Sequence, residues 1–219
     1  RFDLSEKFTI SQKLYGRENE IKILNDAFER VSFIEDGVGS QGQPEMMLVT
    51  GYSGIGKSAL VKEIYKSLAE KRGYFITGKF DQLQRNIPYS AIINAFGELV
   101  QQLLTESEVQ IAQWKERLLI ALESNGQIII DVLPEIKFII GLQPEVSKIG
   151  PAESQDRFNL VFQNFMRVFC QPERPLVIFL DDLQWIDSAS LNLIELIRAN
   201  SDNTPLLFIG ANRDNEVDS

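Results

Sequence analysis

The chain alternates between short apolar runs and longer segments in which apolar residues recur every three or four positions. The short runs predict buried strands at residues 45–50, 73–80, 176–182 and 205–211. The longer periodic segments predict helices at 18–34, 59–70, 90–104, 109–122, 127–141, 153–170 and 190–199, the fifth of them broken by Pro134. Strands that alternate with helices indicate an α/β fold in three layers, with a parallel sheet covered by helices on both faces.

The connecting segments divide the chain into a short linker and one domain. Residues 1–13 are interpreted as a linker from a preceding domain, and residues 14–219 as a single α/β core. Within that core, residues 35–44 are rich in glycine, serine and glutamine and predict a flexible loop. Residues 81–171 form a mainly helical excursion between the second and third predicted strands. A chain of this length supports one large domain with a substantial core.

Composition narrows the classes of function. The 219 residues are 44% hydrophobic and 24% charged, with a formal net charge of −9, so bulk electrostatics argues against nucleic-acid binding. No apolar run reaches membrane-spanning length, and the first residues lack a signal-peptide pattern. The single cysteine excludes an intrachain disulfide framework and fits a reducing compartment, so we expect a cytoplasmic location. Both ends are interpreted as cuts in a longer polypeptide.

The most informative local pattern is the glycine-rich run between the first predicted strand and the following helix. It reads G-x-x-x-x-G-K-S, which is typical of a phosphate-binding P-loop, and its context of strand, loop and helix matches that motif. Lys57 is expected to reach the β- and γ-phosphate oxygens, and Ser58 to ligate Mg²⁺. The predicted nucleotide-binding residues are Gly51, Tyr52, Ser53, Gly54, Ile55, Gly56, Lys57, Ser58 and Ala59.

A second motif follows about 125 residues later, where an apolar run ends in two carboxylates. Asp181 and Asp182 then stand where a buried parallel strand opens into a cleft, the Walker B arrangement. We predict that Asp181 holds Mg²⁺, directly or through water, and that Asp182 orients or deprotonates the attacking water. The chain contains no histidine, so a carboxylate is the remaining candidate base for hydrolysis.

Four segments in this order resemble the origin-recognition-complex-like AAA ATPase domain of the STAND group of signalling ATPases. They are LYGRENE from Leu14, GYSGIGKS from Gly51, LDDLQWID from Leu180 and IGANRDNEV from Ile209. The stretches GKFDQLQRNIPYSAI and GQIIIDVLPEIKFIIGLQP also resemble the version found in large cyanobacterial hybrid kinases. There the domain lies between a serine/threonine kinase domain and C-terminal GAF and histidine kinase domains.

This resemblance implies further site residues and partners. Leu14, Tyr15, Gly16 and Arg17 would lie against the adenine and ribose, and Arg213 would read the γ-phosphate. The alternatives are a surface position for Arg17, and for Arg213 an ion pair with Asp214 or Glu216 in a solvated turn. The helical lid of such ATPases is absent before Ser219, so weak binding and slow hydrolysis are expected. The resemblance also implies neighbouring kinase and sensor domains, and nucleotide-dependent self-association is possible.

We therefore predict an ATP-binding, slowly hydrolysing switch module, with Mg²⁺, inside a multidomain signal-transduction kinase. One alternative is a module that holds nucleotide without turnover, and another is a replication-initiator-like ATPase associated with DNA. The formal net charge of −9 argues against the DNA-associated alternative. No kinase H-R-D or D-F-G motif occurs, so kinase chemistry would lie outside this segment. No guanine-recognition motif is evident, which favours ATP over GTP weakly.

Overall fold

The computed structural model describes residues 16–32, 44–70, 73–171, 174–200 and 204–213. Within these ranges the sheet has four strands: β1 (Glu45–Thr50), β2 (Tyr74–Lys79), β3 (Leu176–Asp181) and β4 (Leu206–Asn212). Their order is β1-β4-β3-β2, and every neighbouring pair is parallel. The predicted α/β fold with a parallel sheet is therefore confirmed. The predicted linker 1–13 and most of the predicted loop 35–44 lie outside the described residues.

The described helices follow the predicted order. They are α1 (Glu18–Val31), α2 (Lys57–Lys62), α3 (Tyr65–Glu70), α4 (Ser90–Leu103), α5 (Glu108–Leu122), α6 (Gly126–Val132), α7 (Lys137–Ile140), α8 (Pro151–Arg167) and α9 (Ser188–Asn200). Short 3-10 turns at Gln82–Gln84, Glu123–Asn125, Pro134–Ile136 and Leu183–Trp185 connect them. No helix in the described ranges has both the length and the apolar character needed to cross a membrane.

The prediction of one helix at 59–70 was wrong, because the structure divides this segment into α2 and α3. The amides of Glu63 and Ile64 bond back to carbonyls three residues earlier, at 3.1 and 3.2 Å, which tightens the chain into a turn. The buried apolar residues continue through this turn: Leu60 and Val61 precede it, Ile64 lies in it and Leu68 follows it. The apolar pattern therefore continues through the break, and periodicity alone did not reveal it.

Two separate apolar clusters cover the two faces of the sheet, which gives the three layers. Val177 and Phe179 of β3 face the cluster that contains α1, α2 and α3. Ile178 and Leu180, which alternate with them, face the larger cluster built from α4 to α9. Because both faces are buried, the first five residues of β3 are buried without interruption.

The predicted helical excursion packs as a unit on one face of the sheet. Its centre is an aromatic cluster in which Phe96 of α4 meets Phe162 and Phe165 of α8, with ring centroids 5.2 and 5.5 Å apart. Phe169 completes the cluster at 5.1 Å from Phe165. Aromatic pairs at these separations stabilise a core beyond the area that they bury. The phenylalanine stripe of α8 is thus core, and it holds α4 against β2.

The parallel arrangement brings the carboxyl ends of all four strands to one edge of the sheet. Thr50 is paired with Asn212, and Lys79 is paired with Asp181, at the ends of their strands. The P-loop follows β1, Asp181 ends β3 with Asp182 directly after it, and Arg213 follows β4. Ligands of open parallel sheets bind at this edge.

Candidate functional site

The P-loop has a backbone shape that depends on its glycines. Gly54 and Gly56 have φ values of 80° and 94°, a region that residues with a Cβ adopt only under strain. Gly56 then caps α2, and its carbonyl accepts from the amide of Leu60 at 2.9 Å. Tyr52 and Ile55 of the loop are exposed, to 61% and 46%.

Lys57 bends back over the loop that precedes it. Its Nζ donates to the carbonyl oxygens of Gly51 and Tyr52, at 2.7 and 3.2 Å. An ammonium group on a flexible stem exchanges such carbonyls readily for phosphate oxygens. The contacts place the Lys57 ammonium against the loop backbone, and its expected contact with phosphate oxygens stays a prediction.

Ser58 and Asp181 meet although they are 123 residues apart in the sequence. The Ser58 hydroxyl donates to Asp181 Oδ2 at 3.1 Å. One hydroxyl and one carboxylate fit Mg²⁺, which prefers oxygen ligands and completes its octahedron with water and phosphate oxygens. Among the residues that the structure describes, no group of three or more His, Cys, Asp or Glu side chains forms a self-contained metal site. The donor set thus suits Mg²⁺ brought in with a nucleotide.

Asp182 occupies an unusual position at the end of β3. Its φ of 56° is left-handed, which aspartate tolerates better than most residues, and its amide bonds to Asp181 Oδ1 at 2.9 Å. The side chain is 6% exposed. The carboxylate contacts Arg213 after β4, Lys79 at the end of β2 and Gln184 in the turn that follows β3.

Two side chains donate hydrogen bonds to the Asp182 carboxylate, and a third forms an ion pair with it. Arg213 makes a two-pronged contact, from Nε to Oδ1 at 2.7 Å and from Nη2 to Oδ2 at 2.9 Å. Lys79 Nζ lies 3.4 Å from Oδ2, and Gln184 Nε2 donates to Oδ1 at 3.2 Å. The carboxylate is therefore fully engaged by protein donors in this conformation.

These contacts also set the protonation of Asp182. Desolvation raises its pKa, but the hydrogen bonds from Arg213 and Gln184 and the positive charge of Arg213 outweigh burial, so the pKa is lowered overall. A carboxylate with a lowered pKa is a weak proton acceptor. In this arrangement Asp182 is suited to holding cations, and a role as base requires some of these contacts to change.

Most of the described site residues line one cavity of about 250 Å³ at the carboxyl edge of the sheet. It is lined by Ser53, Gly54, Gly56, Lys57, Ser58, Ala59, Lys79, Asp181, Asp182 and Arg213. The predicted loop residues Gly51, Tyr52 and Ile55 are not part of this lining. A larger cavity of about 550 Å³ lies between α6 and α8 and contains none of the predicted site residues.

The segment predicted to contact adenine and ribose is described only in part. Leu14 and Tyr15 lie outside the described residues. Arg17 immediately precedes α1, and its Nη2 donates to the carbonyl of Ile55 at 3.5 Å, while its Nη1 lies 3.5 Å from Glu20 Oε1. Gly16 adopts a φ of 74° beside it. The start of α1 is thus near the P-loop, and the adenine and ribose contacts stay a prediction.

Sequence reasoning missed two residues of this site: Lys79, which lines the cavity, and Gln184, which donates to Asp182 without lining it. Lys79 is the last residue of β2, and a polar residue at the carboxyl end of a parallel strand is a signal for a site. It lies in the GKFDQ stretch, where no motif marked it. Arg213 was predicted beside the phosphates, but its ion pair with Asp182 was not foreseen. Its two alternative partners, Asp214 and Glu216, lie outside the described residues.

Comparison with known proteins agrees with this architecture. The model of the AAA ATPase domain family matches residues 13–209. Hybrid signal transduction histidine kinase G of Dictyostelium discoideum is 38% identical over 196 residues, which cover 90% of this chain and 5% of that protein. Peroxide stress-activated histidine kinase mak3 of Schizosaccharomyces pombe is 27% identical over 166 residues, 61% of this chain and 7% of that protein.

Histidine protein kinase 1 of Candida albicans is 21% identical over 164 residues, which cover 68% of this chain and 7% of that protein. The chain thus spans only 5 to 7% of the length of these curated relatives. The family model, by contrast, covers most of the chain, from before the first helix into the last strand. The chain therefore belongs to the AAA ATPase domain family.

Proposed function

We propose that this chain binds ATP together with Mg²⁺ and acts as a nucleotide-dependent switch within a multidomain signalling kinase. The observation that carries the proposal is the contact between Ser58 of the P-loop and Asp181 at the end of β3, at 3.1 Å. It joins the serine of the glycine-rich loop to a strand-end aspartate, the two residue types that hold Mg²⁺ in P-loop nucleotidases. The names of the relatives, which are histidine kinases, support the signalling context.

In this proposal the predicted site residues divide the binding of ATP and Mg²⁺ among them. The backbone of residues 51–58 and the Lys57 ammonium hold the β- and γ-phosphates. Ser58 and Asp181 hold Mg²⁺, which neutralises phosphate charge when it is bound. Arg213 approaches the γ-phosphate, while Leu14, Tyr15, Gly16 and Arg17 contact the base and ribose. Triphosphate favours one arrangement of neighbouring domains, and its loss releases that arrangement.

Hydrolysis at this site is proposed to be slow, with Asp182 orienting or deprotonating water. A second candidate, binding without turnover, is favoured by one specific observation: Arg213 and Gln184 donate to the Asp182 carboxylate, and Lys79 forms an ion pair with it. Single-turnover measurement with γ-labelled ATP separates the two candidates. Release of labelled phosphate that depends on Asp182 supports hydrolysis, whereas bound ATP that stays intact supports a pure binding module.

The finer classification is also a proposal. We infer an origin-recognition-complex-like domain of the STAND group, located in the cytoplasm beside kinase and sensor domains, with nucleotide-dependent self-association possible. The formal net charge of −9 disfavours a DNA-associated role. A DNA mobility shift that weakens steeply with salt would reopen that role.

Isothermal titration calorimetry of ATP with Mg²⁺, on the parent chain and on Lys57→Ala, tests the binding proposal. Loss of the Lys57 charge should weaken ATP binding by about 2–4 kcal/mol, or roughly 30- to 1000-fold, because charge-assisted phosphate contacts are removed. Lys115→Met, at an exposed position of α5, is the matched control and should bind as the parent does. Equal affinity of the parent and a folded Lys57→Ala variant would contradict the site.

A further inference from the structure

Asp182 is shared by two cations that come from different strands. Arg213 follows β4 and holds the carboxylate with two nitrogens, at 2.7 and 2.9 Å. Lys79 ends β2 and approaches the same carboxylate from the other neighbouring strand, at 3.4 Å. Both cations also line the cavity that contains Lys57 and Ser58. An anion that binds there and contacts Arg213 competes with Asp182 for that guanidinium.

The two cations differ in what they can do when such an anion arrives. Arg213 uses Nε and Nη2 for Asp182, so a two-pronged contact to phosphate through these nitrogens requires it to leave the carboxylate. Lys79 contributes a single ammonium on a flexible stem. Its backbone is fixed beside Asp181 by the strand register, and its side chain is 67% exposed. Lys79 therefore stays within reach of Asp182 wherever Arg213 points.

The departure of Arg213 would have a cost that depends on Lys79. The Asp182 side chain is only 6% exposed, so water compensates its charge poorly. A largely buried carboxylate that loses its cation is strongly destabilised. A second cation already in place reduces this penalty. The penalty applies to a triphosphate, which draws Arg213 away, and not to a diphosphate, which lacks the group that Arg213 would contact.

We propose, on the basis of the nucleotide site described above, that Lys79 is a positioning residue for ATP recognition. It remains paired with Asp182 when Arg213 turns to the γ-phosphate, and it thereby sets the preference for triphosphate over diphosphate. Lys79 acts through the carboxylate in this scheme and makes no phosphate contact of its own. Its effect therefore requires both the charge of Lys79 and the charge of Asp182.

A double-mutant cycle between Lys79 and Asp182 tests this inference. Calorimetry would compare ADP with the β,γ-imido analogue of ATP, both with Mg²⁺, on the 219-residue chain. Lys79→Met should weaken binding of the analogue by about 3- to 10-fold and change ADP binding by less than about twofold. Lys79→Arg should restore the preference. In the Asp182→Asn background, Lys79→Met should change neither affinity by more than about twofold.

Several results would overturn the inference. Loss of analogue affinity that persists in the Asp182→Asn background would make Lys79 a direct phosphate ligand. A parallel fall in both affinities and in Tm would give Lys79 a structural role. If the parent chain binds both nucleotides and the Lys79→Met variant binds them with the same affinities, the inference is refuted but the proposed function stands. A parent chain that binds neither nucleotide would refute the proposed function, and the inference with it.

Discussion

Replacement of Arg213 by alanine should destabilise the fold even without nucleotide. The variant removes two charge-assisted hydrogen bonds, at 2.7 and 2.9 Å, from a carboxylate that is 6% exposed. Hydrogen bonds to charged groups contribute about 1.5–3 kcal/mol each. The Arg213 side chain is itself 30% exposed, and Asp182 keeps Lys79 and Gln184 as partners, so we expect a total loss of only about 2 kcal/mol.

Thermal unfolding followed by circular dichroism measures this loss. For a domain of about this size, 1 kcal/mol corresponds to a Tm shift of roughly 2–4 °C, so Arg213→Ala should lower Tm by roughly 4–8 °C at pH 7. Arg198→Ala, at an exposed position of α9, is the matched control and should stay within about 0.5 kcal/mol of the parent.

The same variant should show a characteristic pH dependence. The folded pKa of Asp182 is lowered, so its ion pair stabilises the fold above the unfolded pKa of about 3.9 and is lost as pH falls through the folded pKa. The difference in free energy of unfolding between the parent and Arg213→Ala should therefore have its full size at pH 7 and decrease below about pH 4. Two results would refute this prediction. One is a Tm of Arg213→Ala equal to that of Arg198→Ala at pH 7, and the other is a stability difference from the parent that stays constant down to pH 3.

Two further variants probe turnover and packing. Asp182→Asn should still bind Mg·ATP in calorimetry but release phosphate at least about 100-fold more slowly in a single turnover, because an amide accepts no proton; an unchanged rate would exclude Asp182 as the base. Gly78→Ala should lower the free energy of unfolding by about 1–3 kcal/mol in urea denaturation, since its Cβ would lie 2.4 Å from the Ala91 carbonyl oxygen. The control is Gly97→Ala within α4, whose Cβ would lie at an ordinary 3.6 Å from Leu133 Cδ1, so this variant should be neutral or stabilising. An equal loss of stability in both variants would contradict the packing explanation.

Strand positions were predictable because a buried parallel strand is a short apolar run that ends at polar or glycine-rich residues. The run at 45–50 matches β1, and the apolar run that ends in Asp181 matches β3. Their parallel pairing followed from the alternation with helices. The contact of Ser58 with Asp181 then follows from topology, since both residues stand at the carboxyl edge of the sheet. The sequence therefore predicted two site residues that the structure brings into contact, Ser58 and Asp181.

Other features depended on tertiary geometry that no local pattern contains. The turn between α2 and α3 leaves the apolar spacing intact, so periodicity predicted one helix there. The pairing of Arg213 with Asp182 joins the ends of two strands over 31 residues of sequence, and no local pattern marks it. Lys79 was missed because a lone lysine at the end of a strand becomes meaningful only when the neighbouring strand is known.

The distribution of charge also explains why an acidic chain suits an anionic ligand. The chain carries a formal net charge of −9, yet the cavity is lined by Lys57, Lys79 and Arg213 against only Asp181 and Asp182. The lining thus has a net charge of +1, confined to about 250 Å³ at one edge of the sheet. Nucleic-acid binding uses basic groups spread along an extended backbone, whereas a compact phosphate group needs them concentrated at one point. With Mg²⁺ bound as well, the local charge of about +3 would nearly balance a triphosphate of about −4, and the acidic remainder of the surface would repel longer polyanions.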